Sequence, residues 1–390
     1  SSLGGSEMCI RDSAQSDAFL IGSRALQGVG SGMIQSLGLA IVTREFPPKE
    51  RGLALGLWAV AAAASISFGP LIGGFLVDDF SWHLIFDVNV PVGLLAVALS
   101  LFIQKEWRSD TRTRFDWIGL LAVIFFMPLT IYALARGNSP TNPHGWASAD
   151  IVVCFCVAAV ALALFIVREL RTDHPLLDIR LLGERNFGIS MAVLFIFGIG
   201  MLGGTYLLPL YMQKGLGYTA IMAGSVFLPV GLIQGVLSTL SGFLTRYLRT
   251  LPLVFAGILV MTLSFWMASR FTAATTHGHI VGVLYLRGLG MGLTFAPLNL
   301  FALRNLRQRD MAAASGISNS IKQLSGSISI ALLTTIMTAR TALHAAHESA
   351  PQQQLYIEGI TDDFLFVTLV TLGSLLPFLW LLRRRRHTPE

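Results

Sequence analysis

Residues 18–43 read AFLIGSRALQGVGSGMIQSLGLAIVT, an apolar run that a single arginine interrupts. An α-helix needs about 20 mostly apolar residues to cross the hydrocarbon layer of a bilayer, and this run is long enough. Ten further runs of the same kind follow it along the chain. The eleven predicted spans lie at 18–43, 52–76, 86–104, 116–136, 150–168, 188–211, 220–245, 251–270, 280–303, 312–338 and 364–382.

The composition indicates the same class of protein. Of the 390 residues, 53% are hydrophobic and 13% are charged, with a mean hydropathy of +0.65, whereas a soluble domain carries about 25% charged residues. Long apolar runs joined by short basic loops predict an all-α membrane protein. The net charge of +6 does not indicate a nucleic-acid partner, because the positive charge is concentrated in loops on one side of the spans.

Lys and Arg residues predict the orientation, because they accumulate in the cytoplasmic loops of membrane proteins. They are frequent in alternate loops, from Arg44 to the run Arg383–Arg386. The other loops hold few of them: Arg136, Lys214, Arg270 and Arg340. We therefore predict a multi-pass protein of the bacterial inner membrane with a cytoplasmic C-terminus. An external start is expected for a transporter that lacks an odd number of spans.

The first residues resemble a cloning artefact. The string SSLGGSEMCIRDS at 1–13 resembles the translation of a sequencing-library adaptor, so we predict a non-native leader there and native sequence from about Ala14. At the other end, residues 383–390 are predicted to form a basic cytoplasmic tail.

An internal repeat relates two parts of the chain at an offset of 260 residues. Gly28, Gly30 and Gly32 align with Gly288, Gly290 and Gly292, and the loop residue Arg44 aligns with Arg304. Further along, Ala54, Gly56 and Ser65 align with Ala314, Gly316 and Ser325. A parallel repeat of this kind is expected of a transporter built from two helical halves. The second copy has three spans before its glycine-rich span and the first copy has none, so three spans are predicted to be missing.

Two neighbouring spans carry the residues that we expect to act in transport or gating. Arg24 lies in an apolar run, where a charge costs roughly 2.5–3.5 kcal/mol on insertion scales, unless it reaches the outer interface. Gly28 and Gly32 allow another backbone to approach closely. The next span contains a proline that bends the helix, so it can act as a seal. The full set is Arg24, Gln27, Gly28, Gly32, Gly56, Ser65, Gly69, Pro70, Gly73 and Gly74.

These spans resemble the fourth and fifth helices of the major facilitator superfamily, with Ser65 in place of one glycine of the antiporter motif G-x8-G-x3-G-P-x2-G-G. Trp82, Ile85, Phe86, Asn89, Pro91 and Gly93 then match a pattern of its fourteen-helix drug:proton antiporter family. The resemblance implies that fold with about 11 of 14 transmembrane helices present. It also implies helices 4–6 at 14–104, two linker helices with a cytoplasmic loop at 105–187, and a six-helix C-terminal bundle at 188–382.

The carboxylates are predicted to lie at span ends, including Asp362 and Asp363. Proton coupling needs a buried acid, so the partner that the resemblance implies for Arg24 is expected in the missing helices. Asp87 is an additional acid near the outer face and could titrate. Candidates for lining a central cavity are Arg287, Lys322, Phe195, Tyr206 and Phe227. The alternative is an inter-helix hydrogen bond for the two cations, and contact with lipid or core for the aromatic residues, which is the commoner place for Phe on such spans.

The sequence therefore favours a proton-coupled antiporter that exports amphiphilic drugs or other toxic small molecules by alternating access. Its expected partners are the substrate, protons and the lipid bilayer, with a periplasmic adaptor protein to be considered as well. Transport of a specific metabolite, siderophore or lipid is an alternative, and a channel or sensor is a remote one. No cofactor, metal site or enzymatic activity is predicted, because the sequence has no nucleophile–base pair, metal cluster or phosphate loop.

Overall fold

The computed structural model describes residues 17–46, 65, 68–81, 83–103, 116–137, 142, 144–172, 175–245, 247–307, 310–347 and 351–378. Every regular element in these ranges is helical. The predicted leader, the basic tail and Gly56 lie outside them. The fold class expected from composition, an all-α membrane protein, is confirmed.

Helices α1 to α6 cover the first part of the chain. Helix α1 runs Asp17–Glu45 and α2 runs 68–79. Two helices follow closely, α3 at Leu84–Asp87 and α4 at Asn89–Ile103. After them come α5 at Trp117–Arg136 and α6 at Ala149–Arg171.

Seven α-helices form the second part of the chain as far as the structure describes it. They are α7 (Arg185–Leu210), which continues into a π-helical turn at Tyr211–Gly215, α8 (Ala220–Ser225), α9 (Phe227–Leu244), α10 (Thr250–Ala268), α11 (His277–Leu303), α12 (Met311–His347) and α13 (Gln352–Gly373). In the described ranges, nine helices are long and apolar enough to cross a membrane, and each of them overlaps a predicted span.

The last span begins earlier than predicted. The sequence predicts it from residue 364, whereas the membrane-length helix is Gln352–Phe378. Its first turns contain Gln, Glu and Asp, which lower the mean hydropathy, but the side chains of Leu355, Ile357 and Ile360 are buried in the bundle. The helix therefore starts at the cap residue Pro351, because an amphipathic segment inside a bundle needs only one apolar face.

The chain divides into two compact units, residues 1–60 and 61–390. Of the first, α1 is described, a single helix of 29 residues. The second contains one continuous apolar core, which α7 to α13 build from residues such as Phe187, Phe265 and Phe364.

The predicted linker helices α5 and α6 pack against each other. Arg168 Nε lies 3.1 Å from Asp116 Oδ1, and the same oxygen accepts a hydrogen bond of 3.2 Å from the backbone N–H of Gly119. The pKa of Asp116 is lowered because these contacts outweigh the opposing effect of desolvation. This pair joins the bundle through Thr335 Oγ1 of α12, which donates to the carbonyl of Leu134 at 2.8 Å.

Candidate functional site

Helix α2, which carries the Gly-Pro motif, lies in backbone contact with α8. A Cβ atom at Gly74 would stand 2.5 Å from the carbonyl oxygen of Ala220 and 2.7 Å from Cα of Ile221. From the other side, a Cβ at Gly224 would overlap the carbonyl of Pro70. Both glycines are therefore needed for this approach, which small residues permit between membrane helices. We call this α2–α8 contact the glycine seam.

Asp78 joins the same two helices by hydrogen bonds. Its Oδ2 accepts from the backbone N–H of Ile221 at 2.6 Å, and its Oδ1 accepts from that of Ala220 at 3.2 Å. These two groups lie in the first turn of α8, where N–H groups lack partners within the helix. The hydrogen bond from Ile221 is the main reason that the pKa of Asp78 is lowered. Sequence reasoning did not select Asp78 or Gly224, since neither belongs to the motif.

The remaining motif residues of this region lie away from the seam. A Cβ at Gly69 or Gly73 would meet no atom within 4 Å among the described residues. Ser65 is exposed. The close approach that the motif predicts therefore depends on Gly74.

In α1, the two predicted polar residues, Arg24 and Gln27, lie about one helical turn apart. Arg24 Nη1 donates to Oε1 of Gln27 at 3.0 Å, and Ser31 Oγ donates to the carbonyl of Gly28 at 3.1 Å. Arg24, Gln27, Gly28 and Gly32 are all exposed. The hydrogen bond to Gln27 uses one of the N–H donors of the Arg24 guanidinium. A charge within a membrane span needs such polar partners.

The second copy of the repeat shows what its glycine spacing does. A Cβ at Gly288 would lie 2.9 Å from the carbonyl oxygen of Val230, and one at Gly292 would lie 2.6 Å from Leu237 Cβ, so both face α9. Gly290 faces α10 instead, where a Cβ would lie 2.8 Å from the backbone N of Met261. The G-x-G-x-G pattern thus lets α11 pack closely against both α9 and α10.

Arg287 is a buried cation at the position that the repeat aligns with Gln27. Its side chain is 3% exposed. One nitrogen, Nη2, donates to the carbonyl of Met201 at 2.9 Å and to Thr205 Oγ1. Nε and Nη1 have no hydrogen-bond partner among the described residues. A buried charge usually has an opposite charge or a full set of hydrogen bonds, so this guanidinium can accept an anionic group.

The other cavity candidates differ in their surroundings. Lys322 Nζ lies 5.6 Å from the centroid of the Phe295 ring, a cation–π distance. The hydroxyl of Tyr206 accepts from Thr334 Oγ1 at 3.3 Å. Phe195 is partly buried, whereas Phe227 is 6% exposed and belongs to the apolar core. Packing therefore accounts for Phe227, and Lys322 and Tyr206 keep polar atoms in the interior.

The acids also differ from expectation. Asp87 is exposed, at the end of α3. The prediction that carboxylates lie only at span ends is wrong for Asp362 and Asp363, which follow ten and eleven residues of the span Gln352–Phe378. Asp363 is also 0% exposed. The reason is the early start of α13, which a hydropathy window does not detect. Sequence reasoning thus missed the most deeply buried acid of this helix.

A model of the Major Facilitator Superfamily matches residues 3–330. The chain belongs to this superfamily. Its fold is also similar to that of a solved superfamily structure, a bacterial homolog of the human lysosomal transporter Spinster in an inward-facing and occupied conformation. That similarity covers 89% of this chain and 73% of the other, with a TM-score of 0.53 and 14% identity.

Several superfamily relatives are curated bacterial proteins. The multidrug export protein EmrB of Escherichia coli is 32% identical over 84% of this chain and 64% of its own length. For the uncharacterized MFS-type transporter YhcA of Bacillus subtilis the values are 30%, 83% and 60%. For the fatty acid resistance protein FarB of Neisseria gonorrhoeae they are 30%, 83% and 64%. The chain thus spans less than two thirds of the length of these relatives.

Proposed function

We propose that this protein is a proton-coupled exporter of amphiphilic small molecules from the bacterial cytoplasm, working by alternating access. The glycine seam carries the proposal. A transporter of two moving halves needs a tight, reversible contact between them, and the seam joins the antiporter-motif helix to a helix of the second half. The names of EmrB and FarB support a toxic amphiphile as the substrate.

In this mechanism the seam closes the periplasmic side while the cytoplasmic side is open. The orientation predicted from the loop charges places the turn after α2 and the turn before α8 on that side. Asp78 stabilises the closed state with two backbone hydrogen bonds. Opening breaks these two hydrogen bonds, and because Asp78 is already exposed, water can satisfy its carboxylate and the two N–H groups.

The test is transport by the protein reconstituted into vesicles that carry a pH gradient. A hydrophobic dye should be moved against its gradient while protons flow the other way, and a protonophore should stop it. Substrate flux that persists at the same rate without the gradient would contradict proton coupling. A fast, unsaturable flux of many solutes would favour a channel instead.

A second candidate function is export of an amphiphilic anion such as a long-chain fatty acid. Arg287 favours it, because its guanidinium has two unpartnered nitrogens among the described residues and binds carboxylates well. The two substrates can be compared in the same vesicles. Arg287→Met should abolish transport of the anion and spare a hydrophobic cation. Equal losses for both would exclude charge recognition by Arg287.

A further inference from the structure

Asp363 is a buried acid for which the mechanism above has no use. At about 1.5 Å per residue, it lies roughly 16 Å along α13 from Gln352. Its exposure is 0%, and neither carboxylate oxygen has a hydrogen-bond partner among the described residues. Ile360 and Val367, three and four residues away on the same face, are also fully buried.

The carboxyl group of Asp363 is not stable in its charged form in this buried, apolar environment. Burying an unpaired charge costs far more than burying a neutral acid, so the group takes up a proton or acquires a cation. The nearest polar atoms on this face of α13 are hydroxyls. Tyr356 Oη and Thr371 Oγ1, two turns before and after Asp363, are buried and have no hydrogen-bond partner in the described part of the chain. Two hydroxyls and one carboxyl are too few oxygen ligands for a metal cation.

A partly exposed cluster of ionisable groups includes the preceding residue, Asp362. Asp362 Oδ2 lies 3.0 Å from His344 Nε2 and 3.1 Å from Arg340 Nε. His344 Nδ1 lies 3.6 Å from Glu358 Oε2. The side chains of His344, Asp362 and Glu358 are 26–29% exposed. We call these four residues the His344 cluster. The cluster is partly open to solvent and lies beside the buried carboxyl in sequence, so it can pass a proton between solvent and the buried segment.

Other elements packed against this part of α13 bring few charges. Helix α10 has no ionisable side chain. Helix α7 brings Tyr206, and the π-helical turn brings Tyr211 and Lys214, whose Nζ lies 5.8 Å from the centroid of the Tyr356 ring. None of them is ion-paired with Asp363 in the described structure. Arg340 of α12 is the cation whose charge acts on Asp363, but its Nε is paired with Asp362 and it makes no hydrogen bond to Asp363. A proton is therefore left to neutralise Asp363.

We propose that Asp363 is a proton-binding site of the C-terminal bundle, loaded through the His344 cluster. The inference rests on the proposed antiport, since it assigns one coupling proton to the second half of the protein. A proton from water forms an O–H bond on the carboxylate and leaves it again when α12 and α13 rearrange. No other reactant is consumed.

Infrared difference spectroscopy on the purified 390-residue chain tests the site directly. Between about pH 5 and pH 8, where an ordinary Asp is ionised, the protein should keep a protonated-carboxyl stretching band. Asp363→Asn should remove this band, and Asp150→Asn, which changes a half-exposed acid paired with Arg136, should retain it. An unchanged band in Asp363→Asn would overturn the proposal. So would loss of the wild-type band on addition of Na⁺, which would indicate a cation site.

Transport separates this proposal from the proposed function. With wild-type protein in vesicles, the pH gradient should drive export, and Asp363→Asn should remove that dependence. If wild-type export is proton-driven and Asp363→Asn behaves identically, the proton site is wrong while antiport stands. If the infrared band is assigned to Asp363 but wild-type export ignores the gradient, antiport is wrong while the proton site stands. The melting temperature of each variant confirms folding.

Discussion

Replacing Gly74 with Ala should open the glycine seam, and replacing its neighbour Gly73 should not. The added Cβ at Gly74 would stand 2.5 Å from the carbonyl oxygen of Ala220, whereas a carbon–oxygen contact is about 3.3 Å or longer. The helices must therefore separate by close to 1 Å. Overpacking of this kind costs about 1–3 kcal/mol, which shifts an equilibrium between two states by about 5- to 150-fold.

The measurement is the distance between spin labels at Val77 and Met222, which are 40% and 45% exposed on the two helices. Gly74→Ala should move the distance distribution from a short to a long population. Gly73→Ala is the matched control, because it adds the same methyl group, with the same gain of about 1 kcal/mol in helix propensity, where no described atom lies within 4 Å. Superimposable distributions for wild type and Gly74→Ala, or equal shifts in both variants, would refute the reasoning.

Three further predictions follow from individual contacts. The pKa of Asp78 is lowered, so its stabilisation of the seam is complete above the ordinary value of about 4 and is lost as pH falls through the lower folded value. The distance between the two labels should therefore lengthen only below about pH 4. In Asp78→Asn that distance should be long even at neutral pH. Arg287→Met removes a buried, incompletely paired charge, so the melting temperature should stay level or rise, and a marked fall would show that the charge has a structural partner. Gly290→Ala should lower the free energy of unfolding by about 1–3 kcal/mol. Gly282→Ala is the control and should not lower it, because no described atom lies within 4 Å of its Cβ. Equal effects of the two variants would contradict the close packing of Gly290 against α10.

Much of the fold could be predicted from sequence because it depends on sums over long windows. Apolar runs locate most membrane helices within a few residues, as at 220–245 against Ala220–Leu244. The repeat at offset 260 depends only on the spacing of residues along the chain, so the sequence is enough to reveal it. The start of α13 was missed because Gln352–Asp362 is polar on average, and burial follows the position of each side chain around the helix.

The candidate site was harder to predict because adjacent residues point about 100° apart on a helix. The motif contains both Gly73 and Gly74, and the sequence alone does not tell which one faces α8. Asp78 illustrates the same difficulty. Its partners are backbone N–H groups more than a hundred residues away, which every segment possesses and no motif records. Residue type predicted that the region packs closely, and only the structure identifies the atoms in contact.

The charges inside the C-terminal bundle have a consequence for how such a protein could exchange one solute for another. Arg287 and Asp363 are both buried, yet the described structure joins neither of them to an opposite charge. Had they formed an ion pair, each would have neutralised the other and left no reason to bind anything. Because they are separate, the proposed mechanism stabilises each with an occupant, an anionic group at Arg287 and a proton at Asp363. Releasing either occupant leaves a buried charge uncompensated, which favours a rearrangement that brings that charge to water.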